Sequence, residues 1–450
     1  MSKSMLITGG HVIDPANGVD EPRDVLVGED GRISAVERPG VINAERADKV
    51  VDASGLVVAP GFLDIHVHLR EPGGEAQETI ETGCRAAAKG GFTSVWCMPN
   101  TNPTNDSVWV TRYILDRARE SGGGIHVHPV AAVTKGLAGR ELNDFGALLG
   151  AGAAGFTDDG RPVESAAVMR TAMMHARDLG ATIFDHCEEL SITGAGAMHL
   201  GPTSLRQGIP GIPRSSEALI VMRDGMLALE TGCRFHVQHV SNQESVEAIR
   251  WLKARGARIT AEASPHHLLL TDERVGEGET NAKMKPPLCE EADRQAIVAA
   301  LEDGTLDCIA TDHAPHTASA KARGFAEAPF GIIGMETAFA SLHTGFVVRG
   351  KWTLRFLIEQ LTSAPAKVMA GAMGEGKGTL GSGAPADLVL IDPKATWRFE
   401  ERHVGSRSRN CPWIGETFRG RVEATFAGGR CVYRVVDAGA SLARAASAGT

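Results

Sequence analysis

Aromatic residues are scarce in this 450-residue chain, at 5% of the total, with only two tyrosines. The interior must therefore be packed mainly by Val, Ile, Leu and Ala. Basic residues do not outnumber acidic ones. The net charge is −9, and no run of Lys and Arg could follow a phosphate backbone, which argues against nucleic acid as a partner. No apolar run reaches the about 18 residues needed to span a bilayer. The opening stretch MSKSMLITGGHVIDPANG lacks the apolar core and small-residue cleavage site of a secretory signal. A cytoplasmic protein with no membrane partner is expected. The eight cysteines form no CxxC pair. Cys97, Cys187 and Cys308 fall in apolar strand-like runs and are expected as buried free thiols; a chain of this size needs no disulfide framework.

What is present is a change of pattern along the chain. Residues 1–55 read as short strands punctuated by Gly-Gly, EDG and ASG. That style returns at 371–435, in ADLVLIDP and RVEATFAGGRCVYR, before an Ala/Ser/Gly-rich stretch at 436–450 that reads as a flexible tail. Between them, over 56–370, apolar strands alternate with helical stretches. Eight strand candidates occur: 61–69, 91–100, 125–133, 153–159, 182–188, 234–241, 258–267 and 307–316. Continuous apolar strands alternating with helices imply a parallel sheet covered on both faces. Eight such units predict an α/β fold, a (β/α)8 TIM barrel, with a small β-sandwich domain built from both chain ends.

The predicted strand ends are rich in polar groups. His66 and His68 close the first strand, with Arg70 just beyond; Asn100 closes the second. Asp158 and Asp159 close the fourth, His186 the fifth, His239 the sixth, and Asp312, His313 and His316 the eighth. All would project to the C-terminal face, where barrel enzymes carry out catalysis. In an HxH pair, residues i and i+2 share one strand face, so both imidazoles can reach one cation. Imidazole with carboxylate suits Zn2+, or Mn2+, Co2+ and Fe2+. A set without Cys points to a catalytic rather than a structural site.

These motifs in order, DIHVHLREPG (64–73), MPNT (98–101), FTDDG (156–160), DHCE (185–188), HVQHVS (236–241), PPL (286–288) and TDHAPH (311–316), resemble the dihydroorotases, in the bacterial type I branch of the amidohydrolase superfamily. The resemblance runs over essentially the whole chain. It implies a zinc centre of one or two ions: His66, His68 and Asp312 on one metal, His186 and His239 on the other. FTDDG offers no lysine to bridge them. The resemblance puts Asp158 there, with Asp159 as the alternative, since adjacent strand residues face opposite ways. It implies reversible closure of N-carbamoyl-L-aspartate to L-dihydroorotate in pyrimidine (UMP) biosynthesis, by metal-activated hydroxide with Asp312 as catalytic proton shuttle. Arg70 would clamp the substrate carboxylate through its planar fork, with Asn100 and His316 beside it. The segment 317–334 would close over the substrate, Phe330 and Gly331 touching the ring. A homodimer, or assembly with aspartate transcarbamoylase, is the partnership implied.

Two positions depart from the family pattern. Lys285 stands where Asn is usual before Pro-Pro, as the ring-facing residue, and Cys289 stands where Arg is expected. Lys only donates hydrogen bonds, so either another group supplies the acceptor or the ring is read differently. His266 and His267 are expected to support or pack behind the site, and His126 and His128 to pack within their strand. GEGKG (374–378) lacks the spacing and the following Ser or Thr of a phosphate loop and reads as a turn. Allantoinase, dihydropyrimidinase or a non-catalytic scaffold subunit are the competing readings.

Overall fold

The computed structural model describes residues 4–276, 278–370 and 376–435. The expected tail and the first two residues of GEGKG fall outside them; positions 376–378 form the expected turn. Parallel strands appear in the predicted order. Phe62–Val67, Phe92–Cys97 and His126–Pro129 pair side by side. Thr182–Asp185, Arg234–Val237, Ile259–Ala263 and Cys308–Ile309 form a second parallel run. The predicted fourth strand contracts to a single residue, Phe156, which bridges Ala131 on one side and Ile183 on the other. Gly155 explains the contraction: its φ is +151°, and a Cβ there would lie 2.6 Å from the Phe184 ring. Val67 bridges His313 in parallel, and His68 N donates to His313 O at 2.8 Å, so the last strand region reaches the first.

Helices follow the strands because their starts are marked. Thr79, Ser107, Asp144, Ser165, Asn242 and Thr353 each accept a backbone N–H in the first turn of the helix they precede. The helices' apolar faces join the outward faces of the strands in the largest core cluster, which includes Phe92, Phe156, Ile183, Phe235, Ile249 and Leu357. A separate cluster draws Leu63, Ile65, Trp96, Phe184 and Cys308 from four different strands. His128 stacks on Trp96 at 4.3 Å between ring centroids, and His126 reaches Asp387, so this second HxH pair takes a packing position.

The chain ends build two further sheets. One has the order Ile33–Glu37, Asp24–Val27, Met5–Thr8, Lys49–Asp52. The other runs Arg430–Arg434, Thr417–Ala427, Leu388–Arg398, Val57–Pro60, His11–Asp14, Val19–Pro22. Their facing residues share one core: Met5, Ile7, Val25 and Val27 with Val58, Leu388, Leu390 and Phe426. Val57–Pro60 thus belongs to the outer sheet and leads through Gly61 into the first strand that carries site histidines. No helix among the described residues is long and apolar enough to cross a membrane.

Phe184 is fully buried where four strands meet and packs edge-on against His236. Phe184→Ala is expected to destabilise the fold by about 3–5 kcal/mol. A urea unfolding midpoint equal to that of the unaltered protein would contradict this.

Candidate metal centre

The bonds made by the far nitrogens of His66 and His68 fix both rings. His66 Nδ1 lies 2.7 Å from Glu262 Oε1, so its N–H donates there and Nε2 is turned inward. His68 Nδ1 lies 2.9 Å from Asn100 Oδ1, with the same result. The two Nε2 atoms then face the same carboxylates. His66 Nε2 is 3.6 Å from Asp159 Oδ1 and 3.5 Å from Asp312 Oδ1. His68 Nε2 is 3.6 Å from Asp159 Oδ2 and 3.1 Å from Asp312 Oδ1. On the other side of Asp159, His186 Nδ1 stands 3.8 Å away and 2.9 Å from His239 Nε2. Two overlapping ligand groups result, His66–His68–Asp159 and Asp159–His186–His239, each with donor atoms within 4.8 Å of one another and all buried.

The backbone is strained where the site needs it. Among the described residues four non-glycine positions adopt positive φ, and three are Arg70 (60°), His239 (33°) and Asp312 (48°). Such conformations cluster where function fixes a side chain against local preference.

The carboxylate of the fourth strand region is Asp159, not Asp158. Asp158 Oδ1 accepts from Thr134 N at 3.0 Å, and its Oδ2 accepts from the Thr134 hydroxyl, so this side chain points away from the histidines. The alternation of side chains along an extended chain is the cause: one neighbour faces in and the other out. His66, His68, His186, His239 and Asp312 do converge.

The electrostatics call for positive charge. Three buried carboxylates, Glu262, Asp159 and Asp312, surround the imidazoles. Burial alone would lower the His66 pKa, but the attraction of Glu262, Asp312 and Asp159 overrides it and pushes it up to about 10. Burial also acts against Glu262, yet His66 and His236 hold it down at about 2. Burial and the nearby Arg70 guanidinium push His68 down to about 3, leaving a lone pair free to bind a cation. Burial keeps His239 well below its usual value, and its Nδ1 is a buried nitrogen with no hydrogen-bond partner. Burial also raises Asp312. Imidazoles facing shared carboxylates form a donor set that fits Zn2+ or a similar divalent ion, a positive charge that would take the place of the proton these carboxylates otherwise hold on His66.

The expected substrate residues lie next to this centre. Arg70 Nη2 is 3.5 Å from His316 Nε2, and Arg70 Nε donates to Pro315 O at 3.3 Å. Burial and Arg70 hold His316 neutral, near pKa 3, and its Nε2 lies 2.7 Å from Phe330 O. Gly331 follows directly. Asn100 links His68 to Asp159, donating through Nδ2 to Asp159 Oδ2 at 3.2 Å. A substrate acid would have to compete with Asp159 for that amide. Lys285 pairs with Glu188 at 2.9 Å and sits 5.3 Å from the Phe330 ring centre.

A family model described as "Dihydro-orotase-like" matches residues 55–245. A curated dihydroorotase of Solibacter usitatus is 47% identical over 425 residues, covering 94% of this chain and 97% of its own. One from Desulforapulum autotrophicum is 46% identical, covering 95% and 98% respectively. The chain belongs to the dihydroorotase family. An L-hydantoinase (dihydropyrimidinase) from Arthrobacter aurescens superposes with a TM-score of 0.84 at 23% identity, covering 96% of this chain and 97% of its own. A D-hydantoinase (dihydropyrimidinase) from Thermus sp. gives 0.79 at 24%, covering 96% and 97%. At these identities the likeness shows a shared α/β fold.

Within this dihydroorotase-family site, sequence reasoning missed Glu262. It lies mid-strand in RITAEASPHH and joins His66 to His236, the latter at 3.0 Å. A buried Glu facing inward on the predicted seventh strand was the available signal. Glu188, 3.4 Å from His186 Nε2, was also passed over although it stands in DHCE.

The two aspartates can be separated by experiment. Asp159→Asn should weaken metal binding beyond the about 10–100-fold that loss of an outer hydrogen-bond partner costs. Asp158→Asn should keep its metal. Elemental analysis after dialysis against a chelator checks both, and equal retention in the two variants would refute the assignment.

Proposed function

We propose that this chain is a dihydroorotase, interconverting N-carbamoyl-L-aspartate and L-dihydroorotate in pyrimidine biosynthesis. The observation that carries the reading is the placement of an acid-binding pair, Arg70 and His316, directly beside a buried histidine–carboxylate centre. Membership of the dihydroorotase family supports it. One or two Zn2+ ions, with Mn2+, Co2+ or Fe2+ as substitutes, would be held by His66, His68 and Asp312 on one side and by His186 and His239 on the other. Asp159 would lie between them. When bound, such ions supply Lewis acidity and make water a usable nucleophile at neutral pH.

The remaining steps belong to side chains. Glu262 and Asn100 lock the rings of His66 and His68 through their Nδ1 atoms. Arg70 offers two parallel N–H groups to the ring carboxylate, and neutral His316 adds a contact without repelling Arg70. Asp312, a carboxylate whose proton affinity is raised by burial, takes a proton from the attacking water and delivers it to the leaving ring nitrogen. In the biosynthetic direction it removes the proton from the carbamoyl nitrogen as that nitrogen attacks the side-chain carboxyl carbon, and delivers it to the oxygen that leaves as water. Lys285 donates to a ring carbonyl from its position by Glu188 and Phe330, and Phe330 and Gly331 close the pocket.

The Val67–His313 bridge, read as a seam, supports a closed eight-stranded barrel beginning after Val57–Pro60, and the core shared by the outer sheets supports a two-layer β-sandwich. Exposed Leu219, Met226 and Trp251 on neighbouring helices support a homodimer. Association with a transcarbamoylase and a cytoplasmic location follow from the family resemblance.

Side-by-side assays of the zinc-loaded protein on dihydroorotate, allantoin and dihydrouracil test the reaction. Only dihydroorotate carries the acid that Arg70 and His316 would bind. Turnover confined to dihydrouracil or allantoin would overturn the proposal. Asp312→Asn should reduce kcat by at least about 100-fold, the lower range of what general acid–base groups contribute, while circular dichroism stays unchanged. Retention of most of the kcat would refute the proton-shuttle role.

A further inference from the structure

Two lysines outside the expected site, Lys283 and Lys321, are almost wholly buried, at 2% and 4% exposure. Lys283 Nζ donates to the carbonyl oxygens of Phe325 at 2.6 Å, Ala326 at 3.1 Å and Ala328 at 2.7 Å. Lys321 Nζ donates to those of Pro329 at 3.0 Å, Gly331 at 2.9 Å and Lys283 itself at 3.2 Å. An ammonium has three N–H donors, so all six point at backbone oxygens. Among the described residues neither lysine has a carboxylate in ion-pair reach, whereas Lys285, two residues along, pairs with Glu188 at 2.9 Å.

A buried ammonium without a counter-charge is expensive. Burial lowers both groups, Lys321 to about 7 and Lys283 to about 8. If filling space were the only need, two apolar side chains would serve better. The five loop carbonyls they hold belong to one short segment, 325–331, and its end carries Phe330 and Gly331. That end is also fixed by Gly331 N donating to Lys283 O at 2.9 Å and by Asn410 Nδ2 donating to Gly331 O at 3.0 Å. Gly331 has φ +125°, and a Cβ there would come within 2.7 Å of Ala314 Cβ and 3.1 Å of His316 Nε2. The Lys283 ammonium lies 4.4 Å from the Phe330 ring centre.

We propose that Lys283 and Lys321 are positioning residues that fasten the segment 325–331 and so hold Phe330 and Gly331 at the pocket beside Arg70 and His316. The inference rests on the dihydroorotase reading, which gives those two residues their substrate-facing role. A segment ordered before the substrate arrives removes an ordering penalty from binding. The fastening therefore acts on affinity more than on the chemical step.

Lys283→Met and Lys321→Met, each in the zinc-loaded full-length protein, test this. KM for dihydroorotate should rise about tenfold or more while kcat stays within about threefold. Metal content should be unchanged, and trypsin should cut faster after Arg323. Unchanged KM and unchanged cleavage in both variants would overturn the proposal. So would a parallel loss of kcat and metal, which a merely structural role would give.

Should the variants fail to fold, the unaltered protein supplies the reading. Acetic anhydride should modify Lys283 and Lys321 at least roughly tenfold more slowly than ordinary surface lysines. Lys351 and Lys367, whose side chains are 49% and 73% exposed, are the internal references. Equal rates in an active protein sink the fastening alone. A metal-loaded protein that ignores dihydroorotate while both lysines stay protected sinks the assigned reaction and the substrate-positioning role with it, and leaves the fastening standing.

Discussion

The Asp159 carboxylate stands 3.6 to 3.8 Å from imidazole nitrogens of His66, His68 and His186. These rings come from segments far apart in sequence, and each is turned toward Asp159 by its surroundings. Remove that shared negative charge and two ligand groups lose their common member. The surrounding structure serves to keep it in place: Gly155 lets the chain pass close to Phe184, Phe156 pins the segment between its neighbours, and Thr134 takes up Asp158 so that the next residue faces inward. The orientation of one carboxylate thus depends on a glycine, a bridge and a threonine hydroxyl.

Much of this was legible in the sequence. The HxH pair, the apolar strands and the polar residues at their ends specify where the chemistry sits, because the period-two alternation and the run lengths are local properties. The choice between Asp158 and Asp159 was not local. Alternation says only that one of them faces inward, and the decision lies with Thr134, about two dozen residues earlier and itself unremarkable in sequence. Glu262 was missed for a related reason: one glutamate in a strand has no spacing signature, and its meaning comes from meeting His66 across the interior. The contracted fourth strand was likewise hidden, since a run such as AAGFTDD does not reveal that glycine geometry will leave one paired residue.

Buried charge recurs at each level of the structure and is resolved differently each time. At the centre, carboxylates outnumber permanent cations, which leaves room for metal. Beside it, a guanidinium partly withdrawn from water and a neutral imidazole face where an acid would lie. Under the neighbouring segment, two ammonium groups are satisfied by carbonyls alone. The same physical rule, that a charge removed from water needs a partner, points to a cation in the first case, an anion in the second and an ordered backbone in the third.

The six-stranded outer sheet has a consequence for biosynthesis of the chain itself. Val57–Pro60 finds its antiparallel neighbour only in Leu388–Arg398, which leaves the ribosome roughly 300 residues later, tens of seconds at the usual pace of about 5–20 residues per second. Until then the early strands have an open edge, and the first histidine-bearing strand hangs from an unfinished sheet. Completion of the nascent protein is therefore a late, nearly all-at-once event, and this interval is when it most needs shielding from its neighbours on the polysome.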